Sequence, residues 1–210
     1  MTAMSPGQWR PLGRRAAIPV VEARRVGSPQ GMVDYFFTKL PGGTLLNLGS
    51  GSTSFEDQLR TVVGVDLSAP PTFVDRFVRA DAHALPFSAD SFDGVLLKDV
   101  IEHVADPVAV MREVLRVVRP EGALLLTTPR AIPRAVWDDP THIRGFTHRA
   151  ICSLFQLSGW RVTAGPRRIG GFPGAGRLGL IPHLETLMAV PGFGHWFGTN
   201  WVVQAVPAAT

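Results

Sequence analysis

Residues 45–66 constrain the fold of this chain more than any other stretch. Leu45–Leu48 is a short apolar run after a Pro-Gly-Gly turn, which is typical of a strand buried on both faces. A second apolar run, Val62–Val65, predicts the next buried strand, and Asp66 stands where that strand ends. A strand, a glycine loop, a short helix and a second strand in this order indicate an open α/β sheet.

The loop after the first strand has the composition of a ligand-binding turn. Gly49, Ser50 and Gly51 follow the strand directly. Glycine there permits a positive φ and lets a ligand approach the main chain closely. The helix expected at Thr53–Arg60 would turn its N-terminus toward a carboxylate or another anion. Because a carboxylate such as Asp66 can accept hydrogen bonds from two ribose hydroxyls, the unit predicts a nucleoside-containing ligand.

The rest of the chain alternates between apolar strands and amphipathic helices, which predicts a single α/β domain with a mostly parallel sheet and helices on both faces. The predicted strands are Leu45–Leu48, Val62–Val65, Arg76–Arg79, Gly94–Lys98, Ala123–Thr127, Trp160–Ala164 and Asn200–Val206. The predicted helices are Gly31–Leu40, Thr53–Arg60, Asp106–Val118, Thr147–Ser158 and Leu180–Val190. The predicted connections are a turn at Arg119–Gly122, a long polar loop at Pro129–Phe146 and an irregular segment at Gly165–Gly179. Residues 1–30 are expected to form an extension that serves as a flexible lid on the domain of residues 31–210.

The predicted topology brings four segments to one edge of the sheet. In open α/β sheets the ligand lies beyond the carboxyl ends of the strands, where the strand order reverses. The segments expected there are Gly49–Ser52, Asp66-Leu67, Asp81-Ala82 and Lys98–Ile101. We therefore expect a single crevice built from the tips of four strands.

Composition limits the partners and the location of the chain. The 210 residues carry a formal net charge of +4, and the arginines are dispersed with few aromatics between them, so a nucleic-acid partner is disfavoured. The apolar runs are too short for a membrane span. The single cysteine, Cys152, excludes an intrachain disulfide and favours the cytoplasm. The sequence does not indicate an oligomeric state.

Three short motifs lie within residues 85–122. The first comprises Leu85-Pro86-Phe87 with Ser91-Phe92-Asp93. The second comprises Glu102-His103-Val104 with Asp106-Pro107. The third comprises Arg116-Val117 with Pro120 and Gly122. Together these motifs resemble those of class I S-adenosylmethionine-dependent methyltransferases, in particular the type 11-like methyltransferase domain that acts on small molecules. The resemblance covers roughly residues 45–129 and implies a Rossmann-like sheet of seven strands, S-adenosylmethionine as cofactor and S-adenosylhomocysteine as product.

The resemblance also implies roles for individual residues around the cofactor. Gly49, Ser50 and Gly51 would lie against its methionine part, and Asp66 would hold the ribose hydroxyls. Further contacts would come from Leu67 packing on the adenine, from Asp81 and Ala82 at the adenine edge, and from Lys98 and Asp99 near the sulfonium and the methyl acceptor. The family usually has an acid at the position of Asn47, which helps to orient the loop and the cofactor's amino group. Asn47 can accept a hydrogen bond but carries no charge.

The implied function is methyl transfer to an oxygen or nitrogen of a small-molecule acceptor, such as a metabolite, a sugar or a natural-product intermediate of secondary metabolism. Three other functions stay open. The fold could serve a non-methylating step such as a cyclisation, which Asn47 motivates. The positive charge motivates an RNA or protein methyltransferase. A nicotinamide-dependent oxidoreductase is disfavoured because the loop lacks the third glycine of the dinucleotide fingerprint.

The loop Asp139–Thr147 is expected to cover the acceptor side. His142 is the candidate general base because histidine titrates near neutral pH, although a hydrogen-bonded histidine that fixes the loop is the more common case. Asp99 is the second candidate catalytic residue, and His103 is expected to be structural. No metal site is predicted: Glu102, Asp138 and Asp139 lack metal-ligand spacing and are expected on solvated loops. The aromatic residues that would line an acceptor pocket, or else belong to the core, are Trp137, Phe172, Trp196 and Trp201.

Overall fold

The computed structural model describes residues 43–51, 61–68, 76–169 and 198–209 of the chain. These ranges form one seven-stranded sheet in the order β3-β2-β1-β4-β5-β7-β6. The strands are β1 Thr44–Leu48, β2 Thr61–Asp66, β3 Phe77–Arg79, β4 Phe92–Lys98, β5 Val118–Pro129, β6 Trp160–Ile169 and β7 Asn200–Pro207. The first five strands pair in parallel, whereas β7 runs antiparallel to both of its neighbours. The Rossmann-like, mostly parallel sheet predicted from the sequence is confirmed.

The strand order reverses between β1 and β4, where the chain has moved outward first to β2 and β3 and then to β4 and β5. The central strands are buried on both faces. Leu45 and Leu46, which are neighbours on β1 and therefore point to opposite faces, are both fully buried. The same holds for Leu96 and Leu97 on β4. This burial explains why these strands are continuous apolar runs in the sequence.

Three helices lie in the described ranges: α1 Pro107–Val117, α2 Pro133–Val136 and α3 His148–Leu157. Helix α1 begins as predicted, since the Asp106 side chain accepts a hydrogen bond from the Ala109 amide at 2.9 Å. Helix α3 begins in the same way, because the Thr147 hydroxyl accepts a hydrogen bond from the Ala150 amide at 3.1 Å. The two helices pack against each other and against one face of the sheet, and the Trp160 indole donates a hydrogen bond to the Met111 carbonyl at 2.9 Å.

Three predicted connections differ from the structure. Residues 119–122 belong to β5, not to a turn, because Val118 already pairs with Phe92 across a register shift in β4. Residues 165–169 extend β6 beyond its predicted end, because β7 offers them a long antiparallel partner. The polar loop after β5 contains the short helix α2 and a bridge between Arg130 and Phe146. Each difference arises from pairing between distant residues, which local composition does not encode.

Several predictions lie outside the described residues. They are the helices Gly31–Leu40, Thr53–Arg60 and Leu180–Val190, the extension of residues 1–30, and the aromatic residues Phe172 and Trp196. Among the residues that the structure describes, no helix is both long enough and apolar enough to cross a bilayer.

Candidate active site

The loop after β1 is fastened to the tip of β2. Gly49 and Gly51 have φ values of +72° and +55°, the left-handed backbone that favours glycine. The amides of Gly49 and Ser50 donate to the Val65 carbonyl at 2.7 and 3.0 Å. The Gly51 amide donates to Asp66 Oδ2 at 2.9 Å, and the Ser68 amide donates to Oδ1 at 3.0 Å. The predicted pairing of glycine loop and terminal acid is therefore present, and two main-chain amides fix the orientation of the carboxylate.

The same loop also contacts the segment after β4. A Cβ atom built on Gly49 would lie 2.3 Å from Cγ2 of Val100, so only glycine fits against that side chain. A Cβ built on Gly51 meets no atom within 4 Å, so the described residues leave space beside the loop. Asn47 lies on β1 just below the loop and is 3% exposed, so its amide is held inside the sheet.

The segment after β3 joins the crevice through the tip of β2. The Ala80 amide donates to the Asp66 carbonyl at 3.0 Å, which places Asp81 and Ala82 beside the Asp66 segment. The exposed Asp81 carboxylate accepts a hydrogen bond from the main-chain amide of His83 at 2.9 Å, and its Oδ1 lies 2.7 Å from Nδ1 of the His83 ring. These hydrogen bonds lower the pKa of Asp81. Leu67 exposes 63% of its surface at the end of β2, as an apolar contact for a ligand would require.

Asp99 follows β4 and is held by three neighbouring segments. Its Oδ1 accepts hydrogen bonds from the Thr127 hydroxyl at 2.9 Å and from the Asn200 amide at 3.2 Å. Its Oδ2 lies 3.6 Å from Nζ of Lys98. The backbone of Asp99 is left-handed, with φ +53°, a strained conformation that is concentrated at functional sites. The carboxylate is thus positioned by donors, with Oδ2 as the oxygen left for a ligand.

The environment of Glu102 differs from the one predicted from the sequence. Glu102 is fully buried and not on a solvated loop, because the loop after β5 folds over it and the Ile143 amide donates to its carbonyl at 3.0 Å. Its Oε2 accepts a hydrogen bond from the buried Thr128 hydroxyl at 2.9 Å, whereas Oε1 has no hydrogen-bond partner among the described residues. Burial raises the pKa of Glu102 to about 8, and the nearby Asp99 and Asp139 carboxylates act in the same direction.

His142 lies directly beside Glu102. Its Nδ1 is 2.7 Å from the Val136 carbonyl oxygen, which can only accept, so this nitrogen carries the proton in the neutral ring. Nε2 points toward two carboxylates, at 4.0 Å from Oε1 of Glu102 and 3.8 Å from Oδ2 of Asp139. The side chain is 10% exposed. His142 therefore fixes the loop through one nitrogen and presents the other to an acidic cluster.

The His103 ring stacks edge-on against His142, with 4.6 Å between the ring centroids. One ligand atom from each of Glu102, His103 and His142 lies within 4.8 Å of the others. The available sequence signal for this cluster was the adjacent pair Glu102 and His103, a few residues after a predicted strand, together with a histidine in the loop after the next strand.

The two described tryptophans of the proposed acceptor pocket have different environments. Trp201 is 4% exposed, packs in the core and donates its indole N–H to the Phe146 carbonyl at 2.7 Å. Trp137 is 63% exposed on the loop after β5. Trp201 thus follows the core alternative, and Trp137 is the described aromatic residue available to a ligand on that side.

Comparisons with known proteins match this architecture. The profile of the methyltransferase-domain family matches residues 46–126. An uncharacterized methyltransferase of Mycobacterium tuberculosis is 35% identical over 181 residues, which cover 79% of this chain and 65% of the relative. A relative from Mycobacterium leprae is 35% identical over 122 residues, or 51% of this chain and 43% of that protein. The chain thus spans less than two thirds of the length of these relatives.

Solved structures share the fold at low sequence identity. A chain of the complex between the Trm112 methyltransferase activator and a methyltransferase of Haloferax volcanii superposes with a TM-score of 0.62 at 19% identity, covering 90% of this chain and 92% of that chain. An S-adenosylmethionine-dependent methyltransferase of Archaeoglobus fulgidus gives 0.59 at 16% identity, with 92% and 94% covered. The [4+2]-cyclase SpnF gives 0.56 at 18% identity, with 82% and 77% covered. The chain therefore contains a methyltransferase domain, matched by the family profile over residues 46–126, and it shares the fold of these solved structures.

Proposed function

We propose that this protein transfers the methyl group of S-adenosylmethionine to an oxygen or nitrogen of a small-molecule acceptor. The observation that carries the proposal is the Asp66 carboxylate, which two main-chain amides hold at the tip of β2 beside the open glycine loop. Each of its oxygens has a second lone pair available for a ribose hydroxyl. The leaving S–CH3 electron pair stays on sulfur, so the product is S-adenosylhomocysteine.

The proposed cofactor site uses the residues that line the crevice. Asp66 would accept from the ribose, and Leu67 would cover the adenine with its exposed side chain. Ala82 and Asp81 would meet the adenine edge, where the Asp81 carboxylate stays ionised beside His83. The methionine part would lie against the loop of Gly49, Ser50 and Gly51, whose amides are already partly used in fixing the turn. Asn47 and Lys98 would complete the site below the loop and at the end of β4.

Catalysis by such a site is mainly alignment, because the sulfonium is already an activated donor. Orientation can supply about 7–11 kcal/mol, against about 3–5 kcal/mol from a general base. Where the acceptor must lose a proton, Nε2 of His142 is the candidate base, since Nδ1 is committed to the Val136 carbonyl. Asp99 would orient the acceptor through Oδ2, because Oδ1 already accepts two hydrogen bonds.

A small acceptor is favoured over a nucleic acid by the sequence that follows β4. The segment after β4, Lys98–Ile101, lacks the Asn-Pro-Pro-aromatic type of tetrapeptide used by many nucleic-acid amine methylases. The Haloferax neighbour, which is solved with a Trm112 activator, motivates the RNA or protein alternative for this chain. The RNA alternative requires nucleic-acid binding that weakens steeply with salt.

The cytoplasmic location expected from the single cysteine stays a prediction.

The test begins with calorimetric titration of the purified chain with S-adenosylmethionine and S-adenosylhomocysteine. We expect both to bind, and Asp66→Asn to weaken binding by roughly 10-fold or more, because hydrogen bonds to a charged acceptor contribute about 1.5–3 kcal/mol each. Asp90→Asn is the matched control, since Asp90 is exposed in the turn before β4 and has a left-handed backbone that Asn tolerates. Absence of binding to either nucleoside would refute the proposed function.

A product screen against hydroxylated and aminated metabolites then separates the remaining alternatives. Formation of S-adenosylhomocysteine together with a methylated product supports methyl transfer. The buried, uncharged Asn47 and the fold shared with the SpnF cyclase favour one other outcome, in which an acceptor is consumed and no S-adenosylhomocysteine appears. That result would establish a non-methylating reaction with the cofactor as a structural element.

A further inference from the structure

We propose that Glu102, His103 and His142 form a binding site for a divalent transition-metal ion of the zinc type. The three side chains meet where the segment after β4 touches the loop after β5, and one ligand atom from each lies within 4.8 Å of the others. Two imidazoles and one carboxylate are a ligand set that holds zinc with a coordination position left open. Imidazole nitrogens favour Zn²⁺ and its neighbours over Mg²⁺ and Ca²⁺, which prefer oxygen ligands.

The buried carboxylate supplies an independent reason to expect a cation. Glu102 is fully buried, and its Oε1 has no hydrogen-bond partner within the described ranges. A buried carboxylate oxygen without a partner is costly, and bound metal is one of the few groups that satisfy it. The other oxygen, Oε2, is held by the Thr128 hydroxyl at 2.9 Å, which orients Oε1 toward the histidines. Such an outer hydrogen bond is the usual support of a metal-binding carboxylate.

Hydrogen positions around both histidines leave lone pairs for a metal. The Val136 carbonyl can only accept, so Nδ1 of His142 donates to it and Nε2 is unprotonated in the neutral ring. Nδ1 of His103 lies 3.2 Å from the Thr141 carbonyl and 3.1 Å from the Thr141 hydroxyl. That hydroxyl donates its proton to Asp139 Oδ1 at 2.6 Å, so both neighbours of His103 Nδ1 act as acceptors. His103 must therefore donate from Nδ1, and its Nε2 keeps the lone pair.

The distances require only small side-chain movements for binding. Nε2 of His142 is 4.0 Å from Oε1 of Glu102. Ligands at about 2.0–2.2 Å from zinc in a tetrahedral site stand roughly 3.4 Å apart, so closure needs shifts of about 1 Å. Asp139 Oδ2, at 3.8 Å from the same nitrogen, can serve as a fourth ligand or orient a bound water. A metal on Nε2 replaces the base role of His142, because an acceptor hydroxyl or water in the open position would ionise on the metal instead.

The experiment measures metal binding without any methyl donor, so its result is independent of the proposed function. Tag-free protein comprising all 210 residues is treated with a chelator and dialysed. It is then titrated with Zn²⁺ against a chromophoric indicator, and in parallel with Co²⁺ while visible d–d absorption is recorded. We expect one ion per chain and a rise in Tm with added zinc. Glu102→Gln and His103→Ala should each weaken zinc binding about 100-fold or more. Thr128→Val should weaken it by about 10–100-fold, the usual cost of losing an outer hydrogen bond.

The control variant is His148→Ala, which removes a histidine that lies on α3, 3.9 Å from Cys152 Sγ, outside the cluster. It should leave zinc affinity and the cobalt spectrum unchanged. His103 is exposed, so His103→Ala should fold even where Glu102→Gln does not. The proposal is overturned if zinc does not raise Tm and the protein does not withdraw zinc from the indicator. It is also overturned if His103→Ala binds one zinc ion with unchanged affinity. Loss of binding in His148→Ala alone would likewise reject this site.

Discussion

Replacing Gly51 with alanine separates the folding role of the glycine loop from its proposed binding role. Gly51 has φ +55°, and a Cβ built there meets no atom of the described residues within 4 Å. The new methyl group therefore creates no clash with the described residues. Its folding cost is limited to holding alanine in the left-handed region, about 1–2 kcal/mol. For a chain of this size that corresponds to a Tm decrease of roughly 2–8 °C.

The effect on cofactor binding should be larger than the effect on stability. The methyl group occupies the open space beside the loop into which the methionine part of the cofactor is proposed to fit. We expect the Kd for S-adenosylhomocysteine to rise by at least about 10-fold, which corresponds to 1.4 kcal/mol or more. Thermal unfolding gives the first quantity, and calorimetric titration well below Tm gives the second.

Gly159→Ala provides the matched control. Gly159 ends α3 with φ +84°, and its added Cβ would lie 3.0 Å from Cδ2 of Leu115, the end of a flexible side chain. It should lose a similar amount of stability and keep the Kd of the parent protein. The proposed cofactor site is wrong if the two variants show the same decrease in Tm while the Kd of Gly51→Ala for S-adenosylhomocysteine stays within twofold of the parent value. In that case the ligand does not approach this loop.

Substitutions at three further positions test the scaffold through thermal or urea unfolding. Asp106→Ala removes the cap of α1 and should cost about 1 kcal/mol, whereas Asp106→Asn should keep most of it; equal losses would contradict the capping role. Trp160→Phe removes the buried indole hydrogen bond to the Met111 carbonyl and some ring volume, and should cost about 1–3 kcal/mol; no loss would contradict its packing role. Glu113→Gln tests pH dependence, because the hydrogen bond from Arg116 lowers the pKa of Glu113 in the folded protein. That stabilisation is present above the ordinary glutamate pKa and disappears as pH falls through the lowered value. The free energies of unfolding of the parent and of Glu113→Gln should therefore differ at pH 7 and converge in acid. A difference that does not depend on pH would refute the pairing.

The strands of the sheet could be predicted because their burial leaves a direct mark on the sequence. Residues on both faces of β1 and β4 are buried, so both strands are continuous apolar runs, and the observed bounds differ from the predicted ones by no more than two residues. The starts of α1 and α3 were also predictable to within one residue, because helix starts depend on residues within one turn. The lengths of β5 and β6 were not, since β4 and β7 determine them through pairing with residues far along the chain.

The cluster of Glu102, His103 and His142 could not be predicted from the sequence for the same reason. Glu102 and His103 are adjacent in the sequence, whereas His142 lies in the following interstrand loop, and no short spacing links them. The fold brings them together because β4 and β5 are parallel neighbours whose carboxyl ends meet at one edge. Whether Glu102 is solvated or buried depends on how the loop after β5 folds back, which is set by contacts such as the Ile143 amide on the Glu102 carbonyl.

Asp93 belongs to one of the motifs by which the family is recognised, yet it lies at the opposite end of β4 from the crevice. Its carboxylate accepts a hydrogen bond from the Thr44 amide at 2.8 Å and pairs with Arg119, so it joins the beginnings of β1, β4 and β5. A Cβ on Gly43 would collide with this carboxylate, which leaves glycine as the residue that fits there. Similarity at this motif therefore indicates a shared fold and does not indicate a shared substrate. Differences in substrate choice among relatives should be sought instead in the chain that follows β5. Residues there can change without weakening the contacts of Asp93 with Thr44 and Arg119.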